Sequence, residues 1–504
     1  MRLKNKERKK GFWSVVYETY KDFAENTSIH GLKYTVMKEI GTWEKSFWTI
    51  VVLSGFVTSV YLTFLFWERY VSNPTRTTIM SYYAPTSMIQ FPAVTICNIN
   101  RIMDSKVDTF MKTLQLDESE INSVKKALPE IMGFSELNID NRYIKVFQNI
   151  LEKNSIFNIS YFMKNIVQNC SEMVKYCLWN NVPVNCLKSF KESLTVDGYC
   201  CSFNYGSTDT KYPYTDLNGF GAGISVILDP MLQPVQYSDY QSSGFKVIIH
   251  DPDEYPGFQS TTKMISSGTI SYLQLYGIKM MCSDAVRNLP FSQRDCYYSD
   301  ELELQTFTAY SYSNCVTECE AYYYYENCDC VPYYYDFIGK PECNISKLSC
   351  IHDTFSDGQD FSNICDCPSQ CEDDYYDIIS EYSSFDYEES MGMSSFGNTT
   401  ITKDSVLINV FFNDQSQTIY LRDTIFSTIY LLSSFGGVYS LFLGCSLITV
   451  VEIIYYCMFR FFVTMKYLDR AELEEKPTNL TKIEISTVFN KQRQDTYFKS
   501  TFLP

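Results

Sequence analysis

The sequence predicts a membrane protein in which two transmembrane helices carry a large, disulfide-rich α+β extracellular domain between them. Three observations predict it. Residues 46–67 and 424–451 are long runs without a single charge, 22 and 28 residues respectively. Between them lie 17 of the 19 cysteines, from Cys97 to Cys371. The net charge of −17 is also unevenly divided: residues 1–45 hold ten basic and six acidic residues and residues 460–504 hold eight and six, which leaves the middle at −23. Cystines persist in oxidising compartments, so the cysteine-rich middle lies outside the cell. Its odd count leaves at least one thiol unpaired, and the basic ends read as cytoplasmic under the positive-inside rule.

Composition narrows the class further. A chain of 504 residues with 45% hydrophobic residues packs a core and is not disordered. A mean hydropathy of −0.17 excludes a many-span transporter but leaves room for two spans. The acidity of the middle argues against nucleic acid as a partner.

Taken in order, residues 1–45 form a cytoplasmic N-terminus and residues 46–67 the first transmembrane helix. Twenty apolar residues at about 1.5 Å each cross a ~30 Å hydrocarbon core. Trp43, Trp48, Tyr61 and Trp67 suit the interface belts. The run is too long, and begins too far into the chain, for a cleaved signal peptide. Residues 68–423 form the extracellular domain. Strand-like runs occur at 222–228, 245–249, 270–276 and 406–412, and helical patterns at 117–128 and 143–153. Residues 372–389, rich in Asp, Glu, Tyr and Ser, read as an acidic solvated loop. Four glycosylation acceptors fall in this domain, at Asn158, Asn169, Asn344 and Asn398, whereas Asn26 and Asn479 fall in the cytoplasmic tails. Nine cysteines between Cys315 and Cys371 suit disulfides better than zinc, whose paired thiols prefer about two to four intervening residues; no metal site is expected.

The second span, residues 424–459, is unusual. It carries Gly436-Gly437 and Gly444-Cys445-Ser446, with Ser433, Ser434 and Ser440 interleaved. Small residues of this density either pack helices closely or break a helix, and broken backbone at membrane depth is tolerated only beside protein or a water-filled path. A dimer face and a pore both fit that pattern. Glu452 sits within the apolar stretch, where a carboxylate needs water or a partner. It either faces a pore or pairs with Arg460 or a neighbouring subunit. Residues 460–504 form a cytoplasmic C-terminus.

His30-Gly31 before the first span, Phe91-Pro92-Ala93-Val94-Thr95-Ile96-Cys97-Asn98 after it, and Leu431 to Gly437 running on to Gly444-Cys445-Ser446 in the second resemble the motifs of the degenerin/epithelial sodium channel family, also called the amiloride-sensitive sodium channels; the tyrosine-rich ectodomain resembles its arthropod pickpocket branch. Gly198-Tyr199-Cys200-Cys201-Ser202-Phe203-Asn204 and Gly244 to His250 add to the match, which spares only residues 102–195 and the tails. The resemblance implies a trimeric channel of the acid-sensing or epithelial sodium channel type. It implies seven disulfides: Cys97 with Cys200, Cys177 with Cys186, Cys296 with Cys371, Cys315 with Cys367, Cys319 with Cys365, Cys328 with Cys350 and Cys330 with Cys343. Cys170, Cys201 and Cys282 stand outside that framework, with Cys170 and Cys201 the candidate eighth pair.

The resemblance also assigns roles. Gly444, Cys445 and Ser446 become the selectivity filter, Cys445 standing where many relatives have Ala or Ser. Ser433, His30 and Gly31 become gating residues, and Gly436, Gly437, Ser440 and Glu452 pore-lining ones. The permeant ion is Na⁺ and no cofactor is implied. The partners implied are related subunits, in a homo- or heterotrimer, and the lipid bilayer of the plasma membrane.

Other classes fit less well. A two-span ATP-gated receptor would need basic clusters and a different cysteine spacing. A membrane-anchored hydrolase would need a Gly-X-Ser-X-Gly elbow, a His-Glu-X-X-His helix or a P-loop, none of which occurs. A nonconducting accessory subunit of the same architecture remains the alternative.

Overall fold

The computed structural model describes residues 12–72, 74–132, 141–154, 156, 158–206, 213–235, 237, 242–357, 361–386, 401–425 and 427–466. It separates into two compact units, Met1–Ser72 with Phe426–Pro504, and Asn73–Ile425.

In the first unit, α1 (Phe12–Asn26) and α2 (Leu32–Val36) precede the long helix α3 (Thr42–Ser72). Helix α3 and the stretch Leu447–Lys466 are long and apolar enough to cross a membrane. The uncharged run 46–67 sits inside α3, which overruns it at both ends to take in Glu44, Lys45, Glu68 and Arg69. Charged side chains at helix ends reach water while their stems stay apolar. Segment 424–459, read from sequence as one span, is several pieces. Thr424 ends a strand, helix Thr428–Leu443 follows, residues 444–446 are non-helical, and helix Leu447–Ile454 runs into a π-helical turn, Tyr455–Arg460. Helix α3 packs on the first of these helices at Gly55, where a Cβ would lie 3.2 Å from the Phe442 carbonyl oxygen.

The second unit is built on two sheets. One has the order β5 (Phe190–Thr195), β6 (Gly198–Phe203), β2 (Ala93–Asn98), β8 (Gly244–His250), β9 (Thr261–Ser266). The other runs β1 (Thr75–Pro85), β13 (Ser416–Thr424), β10 (Thr269–Cys282), β12 (Val406–Phe412), β7 (Ile224–Leu228), β3 (Val174–Trp179), β4 (Val182–Pro183). Strand β10 organises this sheet. Its one edge pairs in parallel with β12 over Ile270–Leu275 and then with β13 over Ile278–Cys282, and its other edge pairs antiparallel with β11 (Asp373–Ser384) from Thr269↔Ser384 to Met280↔Asp373.

The core lies between the sheets. Val94, Ile96, Phe203, Phe245, Val247 and Ile249 from one sheet pack with Ile224, Val226, Leu228, Leu273, Ile408, Val410 and Phe412 from the other. Phe91 sits at its centre, edge-on to Trp179, Phe203 and Phe412 at 5.0, 6.1 and 5.7 Å. Strand β7 is buried on both faces because Ile227 packs outward against Phe385 and Ile401. Residues 102–195, which carried no motif, contribute a separate helical core from α4 (Asp104–Thr113), α5 (Glu118–Met132), α6 (Asn141–Lys153) and α7 (Ile159–Ile166) around Phe147 and Phe162.

The acidic stretch 372–389 is a correction. Residues 373–384 form strand β11, and 387–389 lie outside the described residues. The sequence hid the strand because only Tyr376 and Ile378 pack on the core. Asp377 and Glu381 are exposed and Asp374 is held by Lys279, so composition spoke for loop while backbone pairing with β10 decided for strand.

Eight disulfides close the unit: Cys97–Cys200, Cys170–Cys201, Cys177–Cys186, Cys296–Cys371, Cys315–Cys367, Cys319–Cys365, Cys328–Cys350 and Cys330–Cys343. Cys282 is a free thiol. Three of the bonds anchor the tyrosine-rich helix Tyr312–Cys328, whose first turn is capped by the Ser311 hydroxyl accepting from the Asn314 amide. Asn158, Asn169 and Asn344 are exposed on this unit, and Asn398 lies outside the described residues.

Gly223 fixes the approach of β7 to β12. At φ +70° its missing Cβ would lie 2.2 Å from the Val410 carbonyl oxygen and 3.1 Å from the Phe91 ring. Gly223→Ala is expected to destabilise the protein by about 3 kcal/mol or more, since left-handed strain and a buried clash add. Thermal unfolding of the purified chain checks it, and an unchanged midpoint would contradict this account.

Candidate functional site

The site grows from the break in the second membrane-spanning region. Gly444 ends helix Thr428–Leu443 in the left-handed conformation, φ +67°. Its amide donates back to the Ser440 carbonyl at 2.9 Å, and the Cys445 amide to the Tyr439 carbonyl at 3.3 Å. Ser446 is extended and starts the next helix as its N-cap, the Ser446 hydroxyl accepting from the Thr449 amide while the Thr449 hydroxyl accepts from the Ser446 amide at 3.0 Å. A serine followed three residues later by a threonine thus satisfies two amides that the break would strand.

His30 fills the hollow left by Gly444. Its imidazole atoms lie 2.6 Å from where a Cβ would stand, and its amide donates to the Leu443 carbonyl at 2.8 Å. Gly31, at φ +83°, caps α2 and lets the chain lie against Val52 and Trp48 of α3. His30 and Gly31 are therefore brought together with Gly444, and Cys445 is a half-buried free thiol beside them.

Ser433, Gly436, Gly437 and Ser440 are exposed, and their spacing puts them on one helix face that leads to Gly444. Both glycines have open space where a Cβ would stand.

Glu452 does not pair with Arg460. Its Oε2 accepts from the Thr27 hydroxyl, the Ser28 amide and the Ser28 hydroxyl, each at 3.3 Å. Arg460 instead pairs with Asp22 of α1 at 2.8 Å, and Phe23 stacks edge-on to Tyr456 beside it. Eight residues of a helix that widens into a π turn carry Arg460 toward α1 and away from Glu452. Thr27, Ser28 and Thr449 were not singled out from the sequence. The only signal was the Ser-X-X-Thr spacing of Ser446 and Thr449.

A second cluster lies in the other unit. Asp251, Glu254, Asp373 and Asp374 line a cleft of about 610 Å³ together with His250, Tyr312 and Gln370. Burial pushes Asp251 up to about 6 and Glu254 up to about 8, the neighbouring carboxylates adding to the effect. Lys279 holds Asp374 at 2.8 Å. His250 is buried against the Thr95 hydroxyl at 2.9 Å, and burial pushes it down to about 4, so it is neutral at physiological pH. No group of three or more His, Cys, Asp or Glu side chains among the described residues is arranged to hold a metal.

Comparison with known proteins decides the family. The model of the amiloride-sensitive sodium channel family matches residues 23–456. The chain belongs to this family. Among its relatives, the sodium channel protein Nach of Drosophila ananassae is 29% identical over 471 residues, covering 91% of this chain and 89% of that one. Pickpocket protein 11 of Drosophila melanogaster is 25% identical, covering 90% and 77%. The human bile acid-sensitive ion channel is 26% identical, covering 88% and 86%. The amiloride-sensitive sodium channels are ion channels rather than enzymes, and with two helices fit to span a bilayer this member is a membrane protein.

Both clusters can be tested by stability. Gly444→Ala is expected to cost about 1–2 kcal/mol from its backbone alone, and more from the imidazole it would strike; His30→Ala in the same chain should restore part of that loss in thermal unfolding. The folded carboxyl of Glu254 binds its proton more tightly than the unfolded one. Its contribution is therefore intact below the ordinary value of 4.5 and lost as pH rises through about 8. Melting temperature should fall across that window, and Glu254→Gln should flatten the fall.

Proposed function

We propose that the chain is a subunit of a trimeric, sodium-selective, amiloride-sensitive, voltage-independent cation channel of the plasma membrane. An extracellular or mechanical stimulus gates it, and both termini lie in the cytoplasm. The observation that carries this reading is the helix broken at Gly444-Cys445-Ser446 and seated on His30, in a chain of the amiloride-sensitive sodium channel family.

In a trimer, three copies of the break would surround one axis. Carbonyl oxygens freed from helical bonding, with the Ser446 hydroxyl, would replace part of the hydration shell of a small cation. Ser433, Gly436, Gly437 and Ser440 would line the path leading to it. Ser433 gates sterically: three small side chains can meet at a closed constriction, whereas bulk there makes the closed state costly. Glu452 adds negative charge below the filter even while it accepts from Thr27 and Ser28. The acidic outer domain raises local cation concentration within a Debye length of about 8 Å.

The test is whole-cell recording from oocytes expressing Ser433→Val. A standing inward current, lost when a large organic cation replaces sodium and blocked by amiloride, is the expected outcome. Absence of current despite surface expression would overturn the self-sufficient channel and leave the nonconducting accessory subunit, which coexpression with a relative would reveal.

A further inference from the structure

Cys282 is a free thiol beside a closed disulfide. It lies at the end of β10, half-buried, and packs on the buried cluster of Cys296, Tyr298 and Cys371. Cys296 and Cys371 are joined, with Cα atoms 5.0 Å apart. Strands β10 and β11 pair antiparallel without a shift as far as Met280↔Asp373. Carried two residues further, that register sets Cys282 directly opposite Cys371. The chains are still side by side there, because the Cys282 thiol donates to the Cys371 carbonyl at 3.1 Å. Residues facing one another across an antiparallel pair have Cα atoms about 4.5–5.5 Å apart, inside the roughly 4.4–6.8 Å that a disulfide spans. Cys371 thus has a bonded partner in Cys296 and a second, placed by the ladder, in Cys282.

We infer that Cys282 is an exchange partner for the Cys296–Cys371 disulfide, so that Cys371 passes between the two cysteines. The Cys282 thiolate attacks Cys371 Sγ, the bond from Cys371 to Cys296 breaks, and Cys296 leaves as a thiolate that takes up a proton in place of the one Cys282 lost. One thiol and one disulfide enter and leave, so no oxidant or reductant is consumed. The two forms differ in what they hold. The present bond ties down the far end of residues 283–296, which carry the short helices Asp284–Arg287 and Phe291–Arg294. The exchanged bond would join strands that the ladder already pairs, leaving the Cys296 end to hydrogen bonds such as that from the Tyr297 amide to the Ser369 carbonyl at 3.0 Å. The groups facing Cys282 set the pace. Burial pushes its thiol up and Glu372 adds to this, whereas the Tyr298 hydroxyl, Arg422 and Arg294 favour the thiolate. The protonated thiol therefore prevails at neutral pH, and exchange quickens roughly tenfold per unit as pH rises.

The test is disulfide mapping of the purified full-length chain. After incubation at pH 9 without reductant, capping with a maleimide and peptic digestion in acid, two linked peptides are expected: Cys296–Cys371 with the cap on Cys282, and Cys282–Cys371 with the cap on Cys296. At pH 7 the second should form about a hundredfold more slowly, following the thiolate fraction. Cys282→Ser should yield the first alone. Cys296→Ser removes the competing sulfur, and Cys282 and Cys371 are then expected to join while the remaining disulfides stay as they are. A folded Cys296→Ser chain in which both Cys282 and Cys371 take the cap would overturn the inference. So would a wild-type chain that gives no Cys282–Cys371 peptide at pH 9, or one in which Cys282 joins other cysteines just as readily. If Cys296→Ser does not fold, the wild-type time course decides alone.

Discussion

A helix interrupted in an apolar setting strands amides and carbonyls that hydrocarbon cannot satisfy, and the membrane-spanning unit is arranged around that constraint. The break at residues 444–446 is closed by the chain's own groups. His30 gives its amide to Leu443, Thr449 lends its hydroxyl oxygen to the Ser446 amide, and the imidazole occupies the space only glycine leaves. Remove those partners and the favoured alternative is a continuous helix, which has no free carbonyls to offer an ion. On the proposed pore reading, the short helices α1 and α2 are the props of an opening rather than an appendage to the first span.

Much of this was legible in the sequence, and for physical reasons. Charge-free length identifies α3 because burial in hydrocarbon tolerates few exceptions. Clustered cysteines identify the disulfide-bonded unit because oxidation is set by compartment. β-branched runs such as 406–412 identify β12 because both its faces are covered. Gly444 could be singled out because a small-residue tripeptide inside an apolar run has few uses.

What the sequence concealed was pairing between distant segments. Nothing in residues 373–384 distinguishes a solvated strand from a loop until β10 supplies the other half of the ladder. Glu452 has a plausible cation eight residues away, and its actual partners, Thr27 and Ser28, lie more than 420 residues earlier. Asp251 and Glu254 meet Asp373 only because β8 and β11 come to one cleft. In each case the deciding contact is long-range, and local composition carries no trace of it.

Adjacent cysteines on β6 have a further consequence. Cys200 and Cys201 face opposite sides of the strand, one bonded to Cys97 and the other to Cys170. A slip of β6 by a single residue would turn each sulfur away from its partner. The two bonds therefore work as a key with a cut on each side: oxidation can close both only when the strand is in register. A reduced chain is free to misalign there, and an oxidised one carries the record of correct alignment in its covalent structure.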